Sequence, residues 1–387
     1  MPFVLGIDYN RQMTTFILSQ LLSCAESTAP VKPTSSNLTW QAPDQWGNYD
    51  AGLHTIEWTD SRGKDLQADI WYPALANESD ELAIYEPTTL SIHAYRKAEP
   101  AVRSAPVVAF SHGFFAIRFQ SAFLMEHLAR HGFVVIATDH PRNTILDFDD
   151  DYTVDVLLER PDDIRYSIDE LAKRSADPDD FLFGLAHTEA YAAMGHSFGS
   201  HTAMVLGGGA LDYNGVLSYC DANPSARPCA YLYAVDPDAV HDHGSFDSRV
   251  VATVPMSPGL WYTFGEAAQG LEGLEETLVL AGELDGVLSH QDEALPSYNA
   301  MGTPKILATV PGAGHYGFTD ICVLAEALTP ECGTMDSPEF QPIEDIKAMT
   351  QTLVLAYLGS RMLEDERYNA WLEADHWDSA LLTLTME

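Results

Sequence analysis

The sequence predicts an α/β chain: an open, mostly parallel sheet with helices on both faces, an N-terminal antiparallel hairpin and a cap-like insertion. Two observations carry that expectation. Apolar runs of strand length alternate with amphipathic stretches of helical period, and a glycine-flanked serine turn sits between one such strand and the helix that follows it. Residues 1–50 have little periodicity and read as leader and linker. Residues 53–58 and 66–72 read as two strands joined by the turn-rich Asp60-Ser61-Arg62-Gly63, an antiparallel hairpin. Residues 107–110 form a buried type of strand, 119–130 an amphipathic helix and 133–137 another strand, which together imply a parallel βαβ unit. A helix is expected over 161–173, because Pro161 suits a first helical turn and Ile164, Ile168 and Leu171 share one face. Strand 190–194, a helix from Ser200, strands 250–254, 277–281 and 306–310, and a helix over 346–358 continue the alternation, so 51–360 reads as one domain. The excursion 209–248 separates a helix from the next strand and is expected to form a cap. The acidic, aromatic tail 361–387 is expected to be helical and to pack back on the body.

Composition narrows the partners. Against 57 Asp+Glu the 387 residues hold 20 Lys+Arg, a formal charge of −37. Such a surface repels nucleic-acid phosphates and anionic lipids, and nucleic-acid binding is excluded on that ground. A hydrophobic content of 46% with 10% aromatic residues belongs to a folded chain. Four of the five cysteines pair by spacing as Cys220 with Cys229 and Cys322 with Cys332, two short loops of a kind common in oxidising compartments. The fifth, Cys24, follows a largely apolar stretch and precedes a polar tether, which resembles a bacterial lipoprotein signal and makes it the lipidation candidate. The expected location is therefore outside the cytoplasm, in the cell envelope or secreted. No apolar run reaches transmembrane length.

Gly195-His196-Ser197-Phe198-Gly199 fits G-x-S-x-G in strand-turn-helix context, so Ser197 is the expected nucleophile. A serine hydroxyl needs a general base, itself oriented by an acid. His315, in the loop Pro311 to Gly317 after the last parallel strand, is the favoured base over His290, His376 and the remote His243. Asp285, just beyond the strand 277–281, is the favoured acid, with Glu283 as competitor. The backbone N–H groups of Phe198 and Phe114 are the expected oxyanion donors. Phe115, Trp261 and Tyr316, in an aromatic group with Phe114, Phe198, Tyr262, Phe264 and Phe318, are expected to line the substrate pocket. The acidic run 147–151 lacks the spacing of a calcium loop, with Tyr152 where glycine is required, and reads as a solvated loop; His241-Asp242-His243 has ligand types for a metal, but a lone H-x-H in a long loop is usually incidental.

Ala68-Asp69-Ile70-Trp71-Tyr72-Pro73, Phe110 to Phe114, His131 to Val135 and Asp139-His140-Pro141 add a further resemblance, together with Arg160-Pro161-Asp162-Asp163-Ile164, Gly195 to Gly199, Gly282 to Asp285 and Gly314-His315. Over roughly residues 55–320 the chain resembles α/β-hydrolases of the branch that holds dienelactone-hydrolase-like and platelet-activating-factor acetylhydrolase-like esterases. That resemblance implies a Ser197, Asp285, His315 triad and carboxyl-ester hydrolysis with no metal or organic cofactor. It also implies a small-molecule or lipid-like ester substrate and indicates no obligate protein partner. Dienelactone hydrolases use a cysteine nucleophile, and this chain has serine. The layout is also similar to polyester-degrading cutinase-like enzymes, although His112 precedes Gly113 where they carry proline. Acyl transfer on the same triad and a noncatalytic envelope-binding role are the alternatives.

Overall fold

The computed structural model describes residues 39–85, 93–226, 228–232, 246–321 and 339–387. Cys24, Cys322, Cys332 and the His241-Asp242-His243 run lie outside the described residues. The hairpin is present as β1 (Asp50–Thr59) and β2 (Asp65–Leu75), paired antiparallel from Asp50 against Ala74 to Thr59 against Asp65. Two short strands follow, β3 (Ala94–Arg96) parallel to β1 and β4 (Glu99–Pro100) antiparallel to β2. The alternating body then runs β5 (Ala105–Ser111), α1 (Ala122–Arg130), β6 (Val134–Thr138), α2 (Thr153–Ala176), β7 (Ala186–His196) and α3 (Phe198–Gly207). The insertion holds α4 (Tyr213–Ala222) and α5 (Cys229–Leu232). The body resumes with β8 (Val250–Met256), β9 (Thr277–Gly282), α6 (Leu295–Ala300), β10 (Lys305–Val310), α7 (Ile343–Met362) and β11 (Thr383–Met386).

The eleven strands of the described residues join one sheet in the order β11-β10-β9-β8-β7-β5-β6-β2-β1-β3, with β4 beside β2. The run from β10 to β6 is parallel, and the antiparallel pairs lie at its two ends. Parallel strands buried on both faces need apolar side chains on both, and β5 shows this residue by residue. Val108 and Phe110 face α1 and α7, where they meet Leu124, Leu128, Leu353 and Leu355. Val107 and Ala109 face the other way, against Ile164, Ile168 and Leu171 of α2 and Ala203 and Leu206 of α3. This topology sends the chain ends of β5, β7, β9 and β10 to one edge of the sheet, the edge at which open α/β sheets hold their chemistry.

Two expectations change. The helix predicted over 161–173 starts eight residues earlier at Thr153, with Pro161 inside it. Proline removes one backbone hydrogen bond there, at a penalty of about 3 kcal/mol. Burial of Val156, Leu157 and Leu158 on the added turns offsets that penalty. The tail, expected to be helical, forms two 3-10 turns, Glu366–Leu372 and Ala374–His376, and then β11. The alternation Thr383-Leu384-Thr385-Met386 suits a strand, and pairing with β10 covers a sheet edge that would otherwise be open. Among the described residues no helix is long and apolar enough to cross a membrane.

Cys220 and Cys229 form a disulfide, with Cα atoms 5.4 Å apart. Both are buried with Val216, Tyr262, Phe198 and the start of α2, so the bridge fastens the insertion over the end of the sheet where Ser197 stands. Peptide mapping without reductant is expected to recover residues 220 and 229 in one cross-linked fragment. Cys220→Ala combined with Cys229→Ala is expected to lower unfolding stability by about 2–3 kcal/mol in a urea titration, the size of a short-loop closure.

Candidate active site

β7 ends at His196 and α3 begins at Phe198, so Ser197 alone makes the turn between them. It does so at φ +56° and ψ −119°, a left-handed backbone that costs a serine about 1–3 kcal/mol. The flanking glycines are sterically required. A Cβ on Gly195 would stand 2.0 Å from the Gly199 carbonyl oxygen, and one on Gly199 would stand 1.9 Å from the Ser111 carbonyl oxygen. The turn is held from beneath by the Ser197 N–H, which donates to the Met256 carbonyl at 2.9 Å.

Three residues far apart in sequence meet above this turn. His315 Nε2 lies 2.9 Å from Ser197 Oγ, and His315 Nδ1 lies 2.8 Å from Asp285 Oδ2. A carboxylate accepts, so the Nδ1 proton is the one donated to Asp285, and Nε2 is left to accept from the serine hydroxyl. Asp285 is itself fixed: its Oδ1 accepts from the Val287 and Leu288 N–H groups at 2.9 and 2.7 Å. Burial alone would raise its pKa, but the hydrogen bond and charge of His315 and these two backbone donors hold it below the usual carboxylate range. Glu283, the competing acid, is exposed. The competing histidines are elsewhere: His290 Nε2 pairs with Thr309 Oγ1 at 3.1 Å, His376 is exposed in the tail, and His243 lies outside the described residues.

The loop after β5 passes against Ser197. A Cβ on Gly113 would lie 3.5 Å from Ser197 Cβ, and Phe114 and Phe198 line the same cavity as the serine. Residues that sequence reasoning missed tie the loops together. The Gly113 N–H donates to Gln120 Oε1 at 2.8 Å, Gln120 Nε2 donates to His196 Nδ1 at 3.0 Å, and His196 Nε2 donates to the His315 carbonyl at 2.8 Å. The Gln120 carbonyl also accepts from Asp320 N–H. Burial, with the neighbouring His315, brings the His196 pKa down to about 3, so it serves this chain as a neutral imidazole.

A cavity of about 270 Å³ opens at Ser197. The insertion contributes Pro228 and Tyr231 to its wall, and the first turns of α2 contribute Thr153, Val154 and Leu157. Gly259, Leu260, Val287 and Leu288 close the remaining side, and none of the described residues that line it is charged. The three residues expected to bind substrate stand outside this wall. Phe115 packs edge-on against Phe148 at 5.0 Å, and Trp261 Nε1 donates to the Asp292 carbonyl at 2.8 Å while its ring meets Tyr219 and Tyr262. Tyr316 lies edge-on to His315 at 5.1 Å. Tyr262, Phe264 and Phe318 are fully buried core. The α2 part of the wall had a signal, the helical spacing of Val154, Leu157 and Leu158 upstream of Pro161; the α5 part had none.

Among the described residues no cluster of three or more His, Cys, Asp or Glu side chains has the arrangement of a metal site. The acidic run instead caps turns: Asp147 accepts from Arg142 N–H at 2.8 Å, and Asp149 accepts from Asp151 N–H at 3.2 Å.

No family model and no curated protein matches the chain. Among solved structures, a ferulic acid esterase from Streptomyces cinnamoneus is similar at a TM-score of 0.58 and 20% identity, covering 82% of this chain and 91% of that one. At that identity the likeness is one of fold: a mostly parallel sheet with helices on both sides, the α/β-hydrolase fold.

Gly199→Ala is expected to destabilise the chain by more than about 3 kcal/mol in denaturant unfolding, because the colliding atom is backbone and cannot swing aside. Acid lability follows from the buried histidines around the site. Burial holds His112 and His140 well below 6.5 and His196 and His201 at about 3, so below pH 6.5 the unfolded chain takes up protons that the folded one refuses. Each such group adds a slope of up to about 1.4 kcal/mol per pH unit, and stability is lost as pH falls. Glu293, pushed up to about 7 by burial, and Glu126, Asp139 and Asp320, also raised by burial, work the other way. Burial lowers His54, His93, His127, His131 and His290 as well, so the histidines outnumber these carboxylates, and calorimetry is expected to show a lower melting temperature at pH 5 than at pH 7; a constant or higher one would contradict this assignment.

Proposed function

We propose that the chain is a serine-dependent carboxyl ester hydrolase that works through an acyl-enzyme. The carrying observation is the continuous pair of hydrogen bonds from Ser197 Oγ to His315 Nε2 and from His315 Nδ1 to Asp285, with a cavity opening at the serine. Ser197 Oγ attacks the ester carbonyl carbon while His315 Nε2 takes its proton. The ionised Asp285 keeps the imidazole in the required tautomer and stabilises the imidazolium that forms. The tetrahedral oxyanion is received by the N–H groups of Phe198 and Phe114. Collapse breaks the bond to the alcohol, which leaves with the proton from His315; water then repeats the sequence on the acyl-enzyme and releases the acid. The chemistry uses only the chain's own groups.

The wall of the cavity, uncharged and largely apolar, suits an uncharged acyl or alcohol group of modest size, small-molecule or lipid-like. Pro228 and Tyr231 over the cavity support a capping role for 209–248 and disfavour a polymer lying in an open cleft. Within 51–360 this makes a single catalytic domain. The Cys220–Cys229 disulfide supports export to an oxidising compartment, with lipidation at Cys24 as the proposed form of attachment there.

Ser197→Ala is expected to lower kcat for short p-nitrophenyl esters by about 10⁶-fold with the fold intact, and Asp285→Asn by about 10⁴-fold. A fluorophosphonate probe is expected to label Ser197 in the unsubstituted protein. Undiminished turnover by Ser197→Ala would sink the proposal.

A further inference from the structure

Arg160 takes no part in the proposed chemistry, yet among the described residues it is the largest charged side chain that is fully buried. It is fully buried, and among the described residues it has no ion pair. The nearby carboxylate of Asp163 is already engaged by Arg62, Lys64 and His140. Burial brings the guanidinium pKa down to about 9, which leaves it charged at neutral pH. An arginine held this way has a high desolvation penalty, and what it does with its donors identifies its role. Nη1 donates to the His112 carbonyl at 2.5 Å, and Nη2 donates to the Gly113 carbonyl at 3.1 Å and to Asn143 Oδ1 at 2.7 Å. The guanidinium also lies over the Phe198 ring at 4.5 Å.

The Gly113 carbonyl belongs to the same peptide unit as the Phe114 N–H. In a planar trans peptide the two point in opposite directions, so whatever grips the carbonyl sets the aim of the N–H. That carbonyl is gripped twice, by Arg160 Nη2 and by His112 Nδ1 at 2.7 Å, while His112 Nε2 is fixed by accepting from His140 N–H at 3.1 Å. A hydrogen bond from a cation draws electron density from the carbonyl and strengthens the N–H across the peptide as a donor. The positive charge, with no counter-ion of its own, adds a favourable field at a site where negative charge develops.

Resting on the hydrolase reading, we propose that Arg160 is a positioning residue for ester hydrolysis: it locks and polarises the Gly113–Phe114 peptide, whose N–H receives the oxyanion. Its effect belongs to the transition state and not to substrate binding.

The test separates kcat from KM for a short p-nitrophenyl ester in two variants. Arg160→Lys keeps a cation but loses the paired donors; kcat is expected to fall about a hundredfold, near the loss of an oxyanion donor, with KM within about threefold. Asn143→Asp leaves the guanidinium in place and puts a carboxylate against it, where Asn143 Nδ2 has no partner to lose. Here kcat is expected to fall about tenfold with KM and melting temperature maintained or higher. A purely structural role predicts full kcat in Asn143→Asp, and that result would overturn the proposal even if Arg160→Lys fails to fold. A rise in KM with kcat unchanged would also overturn it. If the unsubstituted protein lacks Ser197-dependent turnover, the hydrolase reading itself fails; with that turnover present and both variants unimpaired, only the role of Arg160 fails.

Discussion

The site depends on one backbone approach. Gly195 and Gly199 let the turn from β7 into α3 close on itself and against the end of β5, with room for no Cβ at either position. The register of the sheet sets up that approach, because Ser111 and Gly195 are paired neighbours on adjacent parallel strands. The loops leaving β5 and β7 therefore emerge side by side. Ser197 is lifted out in a left-handed conformation by the one loop, and the Gly113–Phe114 peptide is brought beside it by the other. The same sheet edge delivers Asp285 after β9 and His315 after β10, so one topological fact places every group of the proposed chemistry.

Around that edge the interior is polar and hydrogen-bonded within the chain. Gln120 connects the loop after β5, the serine turn and the loop of His315 through hydrogen bonds that leave no slack between them. Asp320, buried against Lys347 at 2.9 Å and accepting the Phe123 N–H, anchors the far side of the His315 loop to α1 and α7. Groups desolvated to this degree are expensive to misplace, since an unpaired buried donor costs about 1–3 kcal/mol. Such a network spends stability on orientation, which suits transition-state electrostatics better than it suits a passive core.

The insertion adds a different kind of control. Its disulfide and its packing on Val156, Leu157 and Tyr262 place Pro228 and Tyr231 over the cavity, against an otherwise aliphatic and aromatic wall. In the proposed hydrolase that cover sets the size and polarity of what reaches the serine. None of the described residues lining that wall is charged, so the net charge of −37 bears on solvation and partner exclusion and not on the cavity.

Local periodicity and glycine spacing were enough to read the alternating strands and helices and the strand-turn-helix around Ser197. These properties are encoded over a few residues, where backbone sterics and side-chain alternation dominate. The acid was legible only as two candidates, because Glu283 and Asp285 follow the same strand and differ by the direction in which the loop turns. Phe115, Trp261 and Tyr316 are aromatic loop residues close in sequence to the chemistry, yet Phe115 packs on Phe148, Trp261 on Tyr219 and Tyr262, and Tyr316 edge-on to His315, while the cavity wall draws on α2, α5 and the loops near Leu260 and Leu288. The start of α2 and the strand in the tail likewise depend on partners: an apolar surface that compensates an internal proline, and an open edge on β10. What the sequence by itself determined is the local geometry that Cβ atoms and their spacing impose. Only the tertiary structure decided which side chains share the cavity, which carboxylate meets His315 and where the charge of Arg160 is aimed, because those contacts join segments tens of residues apart whose approach is set by sheet register and core packing.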